Sequence, residues 1–395
     1  MIRIPTLRTA AAGLSCALLA ACGGGGDGGP PFAARDSAGV RIAESRAAAW
    51  APGEEWTVGA TPLADVAVGR APSLAVRLGD GRIAVTGDDE RSVRFFGADG
   101  VPGTVARPAD WPETITWVGV GPGDSLLVWQ PRRLSVFTPA GALAREVRPP
   151  ELEYLEPRML GRLANGTLLV TAGHQDPHDP ARPRRDLITH LWVGAEGGLL
   201  GRFADLPDVQ RVSVYESGAY EVPFSTRTLV AVSGDEVLVG DNATFEFAAF
   251  GPDGELKRVV RRAWEPLPVT PADVEAHHAR LDPDAAGYTG EDLATFHRLR
   301  AARREQLRHA DTFPAFTALL AGADGTVWAE EPRHLHDYWP RWSVFDAQGR
   351  WLGTVKMPSG FTLQQAGKDW VLGMEPDTRG VLHARVYPLT RPAAP

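Results

Sequence analysis

Six glycines frame this 395-residue chain: Gly81, Gly123, Gly166, Gly234, Gly325 and Gly367, at spacings of 42, 43, 68, 91 and 42 residues. Each lies in a tight turn between two short apolar runs. A polar loop then leads to a third, alternating run, and an Asp-Gly-like turn leads to a fourth. The units start at Ser73, Trp117, Leu160, Thr228, Thr317 and Thr362. Turns of this composition favour hairpins, and Arg94 between Val93 and Phe95 shows the alternation of a strand. A four-strand unit recurring near 42 residues, with two insertions, predicts an all-β ring of blades. A β-sandwich has no reason to repeat at a fixed period.

The pattern resembles the six-bladed β-propellers of the NHL and TolB-like type. Within that class it is similar to a group of bacterial lipoproteins with an Asp-Ser-Ala-Gly-Val segment ahead of the blades, here Asp36 to Val40. The resemblance spans residues 36–390 and implies a fold, not an activity, because members of the class bind, scaffold or hydrolyse. The sixth unit has no fourth strand after Leu389. The strand-like stretch from Trp56 to Gly69 has no unit of its own. Residues 56–69 are therefore expected to supply the outer strand of the last blade, which removes an exposed edge. Residues 391–395 form a tail.

Arg3 and Arg8 precede an apolar stretch from Thr9 to Ala21 that is too short to span a bilayer and reads as a secretory signal. Its ending, Leu19-Ala20-Ala21-Cys22, resembles the lipobox of bacterial lipoproteins, where the cysteine is lipidated and becomes the mature N-terminus. The resemblance implies a signal peptide over 1–21, a lipid anchor on Cys22, and export to the cell envelope. In a source with two membranes that means the outer membrane or periplasm. Residues 22–35 are rich in glycine and then proline, and read as a flexible tether reaching roughly 20 Å. Cys16 leaves with the signal, so the mature domain has no cysteine pair for a disulfide. With 44% hydrophobic residues the chain can bury a large core. Its net charge of −8 offers no basic footprint for nucleic acid.

Antiparallel blades put alternate connections on opposite faces. One face has only tight turns. The other receives every long connection: residues 174–187, Ala204 to Arg227, and Ala263 to Pro314. The last reads as a helical hairpin over about 266–314. Thr270 with Asp273, and Thr289 with Asp292, resemble capping boxes, and Pro271 suits a first helical position. Leu293, Phe296, Leu299 and Leu307 would dock the second helix, with its arginines balanced by Glu291, Asp292, Glu305 and Asp311.

Loops on a rigid scaffold carry binding groups. The ligand-binding candidates on the elaborated face are Arg132, Arg133, His174, Asp241, Asn242, Glu330, His334, Tyr338 and Trp339. Tyr338 and Trp339 suit an exposed aromatic platform, while Trp342 begins a strand and suits packing between blades. His174 and His178 with Asp176 have metal-ligand chemistry, but their loop is proline-rich and nothing fixes its geometry. Asp241, Asn242 and Glu330 each follow a second strand. Six-bladed lactonases of the gluconolactonase type hold a divalent ion near that place, and oxygen ligands suit Ca²⁺ or a similar cation. The sequence has no G-x-S-x-G, H-E-x-x-H, C-x-x-C or P-loop. The leading expectation is a cofactor-free, membrane-anchored scaffold that binds a protein or small-molecule ligand. The alternative is a divalent-metal-assisted hydrolase or lactonase acting in the central funnel.

Overall fold

A computed structural model describes residues 30–51, 53–70, 74–87, 91–106, 114–149, 157–173, 184–214, 218–282 and 289–391. The chain opens with β1 (Phe32–Ser37), β2 (Val40–Ser45), β3 (Thr57–Val58) and β4 (Ala64–Gly69). Sheet 1 is β5 (Ala75–Arg77), β6 (Ile83–Thr86), β7 (Val93–Phe96) and β8 (Pro102–Ala106). Sheet 2 is β9 (Trp117–Val120), β10 (Leu126–Gln130), β11 (Arg133–Phe137) and β12 (Leu143–Val147). Sheet 3 is β13 (Arg158–Arg162), β14 (Leu168–Gly173), β15 (Arg184–Val193), β16 (Leu199–Val214) and β17 (Gly218–Glu221). Sheet 4 is β18 (Thr228–Ser233), β19 (Glu236–Asp241), β20 (Glu246–Phe250) and β21 (Leu256–Arg262). Helices α1 (Pro271–Leu281) and α2 (Gly290–Gln306) follow. Sheet 5 is β22 (Ala318–Ala321), β23 (Val327–Glu330), β24 (Arg341–Phe345) and β25 (Trp351–Lys356). Sheet 6 is β26 (Thr362–Ala366), β27 (Trp370–Pro376) and β28 (Leu382–Thr390).

Within each sheet, sequential strands pair antiparallel. The first strands of the six sheets touch in a closed cycle: β5 beside β9, then β13, β18, β22 and β26, and β26 again beside β5. This is the arrangement of a propeller. Its core is divided among the gaps between consecutive sheets. Phe95 packs with Leu126 and Phe137 between sheets 1 and 2. Trp129 meets Met159 and Val170 in the next gap. Phe203 meets Val237 and Phe250 between sheets 3 and 4. Phe247, Phe316 and Phe345 fill the fourth gap. Trp328, Trp342 and Phe361 fill the fifth, and Ile83, Met374 and Val386 the last. Each fully buried large side chain contributes about 1.5–3 kcal/mol, so the ring is stabilised gap by gap.

Closure follows the expectation for residues 56–69. β4 pairs antiparallel with β28, with Val66 opposite Ala384, and β3 pairs with the end of the same strand. Asp65 binds His383 at 2.6 Å and Arg385 at 3.1 Å across this seam. On the inner side, Gln364 and Gln365 of β26 accept hydrogen bonds from the amides of Ala75 and Arg77 in β5, at 2.6 and 2.7 Å.

The segment ahead of β3 differs from the expected tether. Phe32 to Arg35 are already in β1, which pairs with β2, and β2 pairs in parallel with β21 of sheet 4. The ladder to β2 is the physical reason that residues 32–35 are strand. The Ser37–Val40 turn has positive φ at Ala38 (49°) and Gly39 (82°), the twist that two-residue hairpins require. The chain then crosses sheet 5, where Ala49 and Trp50 donate to the carbonyls of Trp351 and Leu352 at 3.0 and 2.8 Å. The Trp50 ring occupies the space a side chain at Gly353 would need. Residues 32–69 therefore run as a strap over the outer edges of sheets 4, 5 and 6.

The long Ala204–Arg227 connection is mostly strand. Leu206, Val209 and Val214 are buried, and β16 continues beside β15 to Arg211, with one register shift, and then turns back as β17.

Sheets 4 and 5 are also tied by charge. Arg262 of β21 donates to Glu331 at 2.7 Å and to Ser343, and lies 4.1 and 4.2 Å from the rings of Phe245 and Trp351. Burial acts to raise the Glu331 carboxyl, but Arg262, Ser343 and Thr354 together hold it below its ordinary value. That contribution to stability is present above the normal carboxylate range and is lost as pH falls through the folded-state value. Arg262→Ala should destabilise the protein by about 3–5 kcal/mol, because it strands a largely buried carboxylate. An Arg262→Met/Glu331→Leu double variant should recover most of that loss in urea titrations.

Candidate binding face

The connections on the elaborated face are held by a small number of polar anchors. The first lies between sheets 3, 4 and 5. Asp241, at the end of β19, accepts from Arg185 at 2.7 Å, and Arg185 also donates to the carbonyls of Asp208 and Pro207. Asn242 is 1% exposed. Its Oδ1 accepts from the Arg227 amide at 2.7 Å, and its Nδ2 donates to the Phe316 carbonyl at 2.8 Å. Glu330, at the end of β23, accepts from Thr317 at 3.0 Å and from Arg333.

These residues were candidates for a divalent cation, and their surroundings do not fit one. Both polar atoms of the Asn242 amide are used in joining β18 to the segment before β22. Asp241 already carries a guanidinium, and so does Glu330. A cation would have to displace Arg185 and Arg333 and leave the Arg227 amide unpaired, at about 1–3 kcal/mol for each stranded group. The six first strands add no carboxylate; their only charged residues are Arg77, Arg158 and Arg162. Among the described residues, no group of three or more His, Cys, Asp or Glu side chains is placed to hold a metal ion.

The second anchor is Asp273 of α1. Its capping box forms in full: the Thr270 hydroxyl accepts from the Asp273 amide, and the Asp273 carboxylate accepts from the Thr270 amide at 3.0 Å. The same carboxylate, completely buried, accepts from His334 Nδ1 at 2.8 Å and from the Leu335 amide at 2.9 Å. Burial acts to raise this carboxyl, but the bonds from Thr270, Leu335 and His334 hold it well below the ordinary carboxylate range. A helix cap thus also fixes the loop of residues 331–340. His334 stacks on His336 at 5.3 Å and meets the edge of Phe313 at 5.8 Å.

The third anchor is Asp282, at the C-terminal cap of α1, which pairs with Arg300, Arg303 and Arg304 of α2. Glu275 takes a further bond from Arg304 at 3.0 Å. Arg300, Arg303 and Arg304 of α2 are therefore paired with Asp282 and Glu275. The expected cap at Thr289 forms no side-chain bond, because Gly290 enters the helix with φ 57°. Leu307 is buried, Leu293, Phe296 and Leu299 are half-buried, and α2 packs along β16.

Tyr338 and Trp339 remain outward, 65% and 45% exposed. Their backbone is fixed: the Gly360 amide donates to the Tyr338 carbonyl at 2.8 Å, the Trp339 amide donates to Asp337 at 3.0 Å, and the Met357 amide donates to the Pro340 carbonyl at 2.8 Å. The Lys356 ammonium lies 4.2 Å from the Trp339 ring. Trp342, as expected, is buried between sheets 5 and 6. Arg132 is exposed in the β10–β11 turn, and Arg133 pairs with Glu146 at 3.0 Å. His174, Asp176, His178 and Cys22 lie outside the described residues. The Asp273–His334 contact was missed in the sequence because 61 residues separate the partners. Only the capping box signalled that Asp273 is fixed.

No family model matches this sequence, and no curated protein matches it. Solved structures do resemble it. A member of the DUF4221 family from Bacteroides vulgatus superposes with a TM-score of 0.50 at 9% identity, covering 86% of this chain and 99% of its own. A gluconolactonase from Xanthomonas campestris gives 0.43 at 16% identity, covering 83% and 89%. Virginiamycin B lyase from Staphylococcus aureus gives 0.41 at 8% identity, covering 84% and 99%. At these identities the likeness concerns the fold, which is of the propeller type.

Asp273→Asn should lower stability by about 2 kcal/mol, since the carboxylate's donors lose a charged acceptor. The folded-state value of Asp273 lies below the unfolded one, so its contribution is present above the carboxylate range and lost as pH falls. The variant should accordingly show a shallower loss of stability between about pH 5 and pH 2, measured by denaturant titration across pH.

Proposed function

We propose that this chain is a six-bladed β-propeller with a helical-hairpin insertion, exported and anchored by lipid on Cys22 to the bacterial cell envelope. It acts as a scaffold that binds a protein or small-molecule ligand through the elaborated face. The observation that carries this reading is the pair Tyr338–Trp339, two adjacent aromatics exposed on a backbone fixed by hydrogen bonds. Aromatic groups held rigidly in water lose little entropy on binding, which is what a preorganised contact surface needs. The anchors at Asp241, Asp273 and Asp282 support it by locking the surrounding connections in place. The composition supports a partner other than nucleic acid.

A Tyr338→Ala/Trp339→Ala variant should keep its unfolding midpoint, as exposed substitutions usually change stability by less than about 0.5 kcal/mol. It should lose the crosslinked partner, or the ligand, recovered with the wild-type protein from native membranes. Equal recovery by both proteins refutes this surface as the binding site.

The anchor is tested by fractionation. The Cys22→Ala protein should leave the membrane fraction after export, whereas wild type stays in it. A hydrolase built on Asp241, Asn242 and Glu330 makes a different forecast. In the scaffold reading excess Ca²⁺ leaves the unfolding midpoint of the mature domain unchanged. A site filled to 100 times its dissociation constant would add about 2.7 kcal/mol. A shift of that kind, absent in Asp241→Ala, would restore the hydrolase.

A further inference from the structure

The tight-turn face, opposite the surface just described, contains an arginine whose charge has no partner among the described residues. Arg162 ends β13 and is half-buried between sheets 2 and 3. It bonds to no carboxylate among the described residues, and the charged group acting on it is another arginine, Arg145 of β12. Burial and that like charge both weaken its hold on its proton. Among the described residues Arg145 is itself paired only with Glu196, at 2.6 Å, and Glu196 is 84% exposed. A pair so open to water offers little neutralisation. Asp124, in the β9–β10 turn, is committed elsewhere: its carboxylate accepts from the amides of Gly79 and Asp80, at 2.5 and 3.1 Å.

The repeat shows what is missing. Arg77 holds in β5 the position of Arg162 in β13: each ends the first strand, four residues before a turn glycine, Gly81 or Gly166. Each guanidinium lies against that glycine, 3.3 Å from where a Cβ would sit. Arg77 is covered by the ring of Trp370 in the preceding sheet, 4.7 Å away. In sheet 2 the residue equivalent to Trp370 is Ser125. Their carbonyls accept the same turn bond, from Gly367 at 2.9 Å and from Gly121 at 2.7 Å. Where sheet 6 supplies an indole, sheet 2 leaves a cavity of about 60 Å³. Ser125, Arg145 and Arg162 line its polar side, and Leu127, Leu134 and Leu168 its apolar side.

We propose that this cavity is a binding site for a small carboxylate anion, of the size of acetate or propionate. The carboxylate would lie between Arg145 and Arg162, with its short aliphatic end on the leucines; the Ser125 hydroxyl, which donates to the Pro122 carbonyl at 2.9 Å, only lines the site. Two guanidiniums provide forked donors for a carboxylate. The apolar wall disfavours phosphate, whose remaining oxygens would go unpaired.

The test is isothermal titration and thermal unfolding of the mature domain with sodium propionate, against sodium phosphate and sodium chloride at equal ionic strength. Propionate should bind and raise the midpoint above the chloride control. Arg162→Gln should weaken binding by at least about tenfold without lowering the ligand-free midpoint, since a purely structural arginine would lower it. Ser125→Trp should place an indole under Arg162, as in sheet 6, and remove the propionate response while the protein stays folded. No propionate effect beyond chloride overturns the site. So does an effect that survives in both Arg162→Gln and Ser125→Trp. Phosphate binding as tight as propionate, and lost in Arg162→Gln, overturns the carboxylate assignment.

Discussion

Ring closure is the constraint on which the rest of this molecule depends. A ring of sheets has no stable open form, because every sheet buries each of its faces against a neighbour. The last sheet reaches its outer strand only by taking β4 from the other end of the chain. The seam combines a backbone ladder, the Asp65 contacts to His383 and Arg385, and the glutamine bonds from β26 to β5. Without it the gap holding Ile83, Met374 and Val386 would open to water, and the adjoining gaps would lose their support.

Much of this was legible in the sequence because it is local. Turn glycines mark hairpins, and Gly81, Gly123, Gly166, Gly234 and Gly325 do adopt positive φ. Alternation marks strands, and a fixed period marks blades. The unassigned stretch from Trp56 could be matched to an incomplete sixth unit by counting strands. The course of residues 32–50 could not be read. Nothing in FAARDS or VRIAES specifies parallel pairing with β21, because that register is set by an edge formed more than two hundred residues later. The extension of β16 beyond Phe203 could not be read either, since Pro207 and the charges around it interrupt the pattern, and Leu206, Val209 and Val214 are buried without strict alternation.

Side-chain partners were the least legible. The sequence correctly placed Asp241, Asn242 and Glu330 at strand ends on one face, but residue type alone cannot separate a metal ligand from a strut. The deciding facts are Arg185 and the Arg227 amide, which reach Asp241 and Asn242 from other segments, and Arg333, which folds back on Glu330 from three residues away. The reverse holds for Arg162. One more arginine in an arginine-rich sequence attracts no notice until its counterpart Arg77 is seen under Trp370. Internal symmetry then serves as a control, because the same backbone position occurs with its cover and without it.

The strap also sets an order of events for synthesis. Asp65 and His383 meet across 318 residues, so the entropy of closing that loop is met only when nearly the whole chain is present. Sheets 1 to 5 are built from neighbouring residues and can form as the chain lengthens. β2, β3 and β4, although made first, must wait for sheets 4 and 6 before they have edges to join. During that interval residues 40–69 lack the edges they pair with in the finished ring, and the gap between the last sheet and the first stays uncovered.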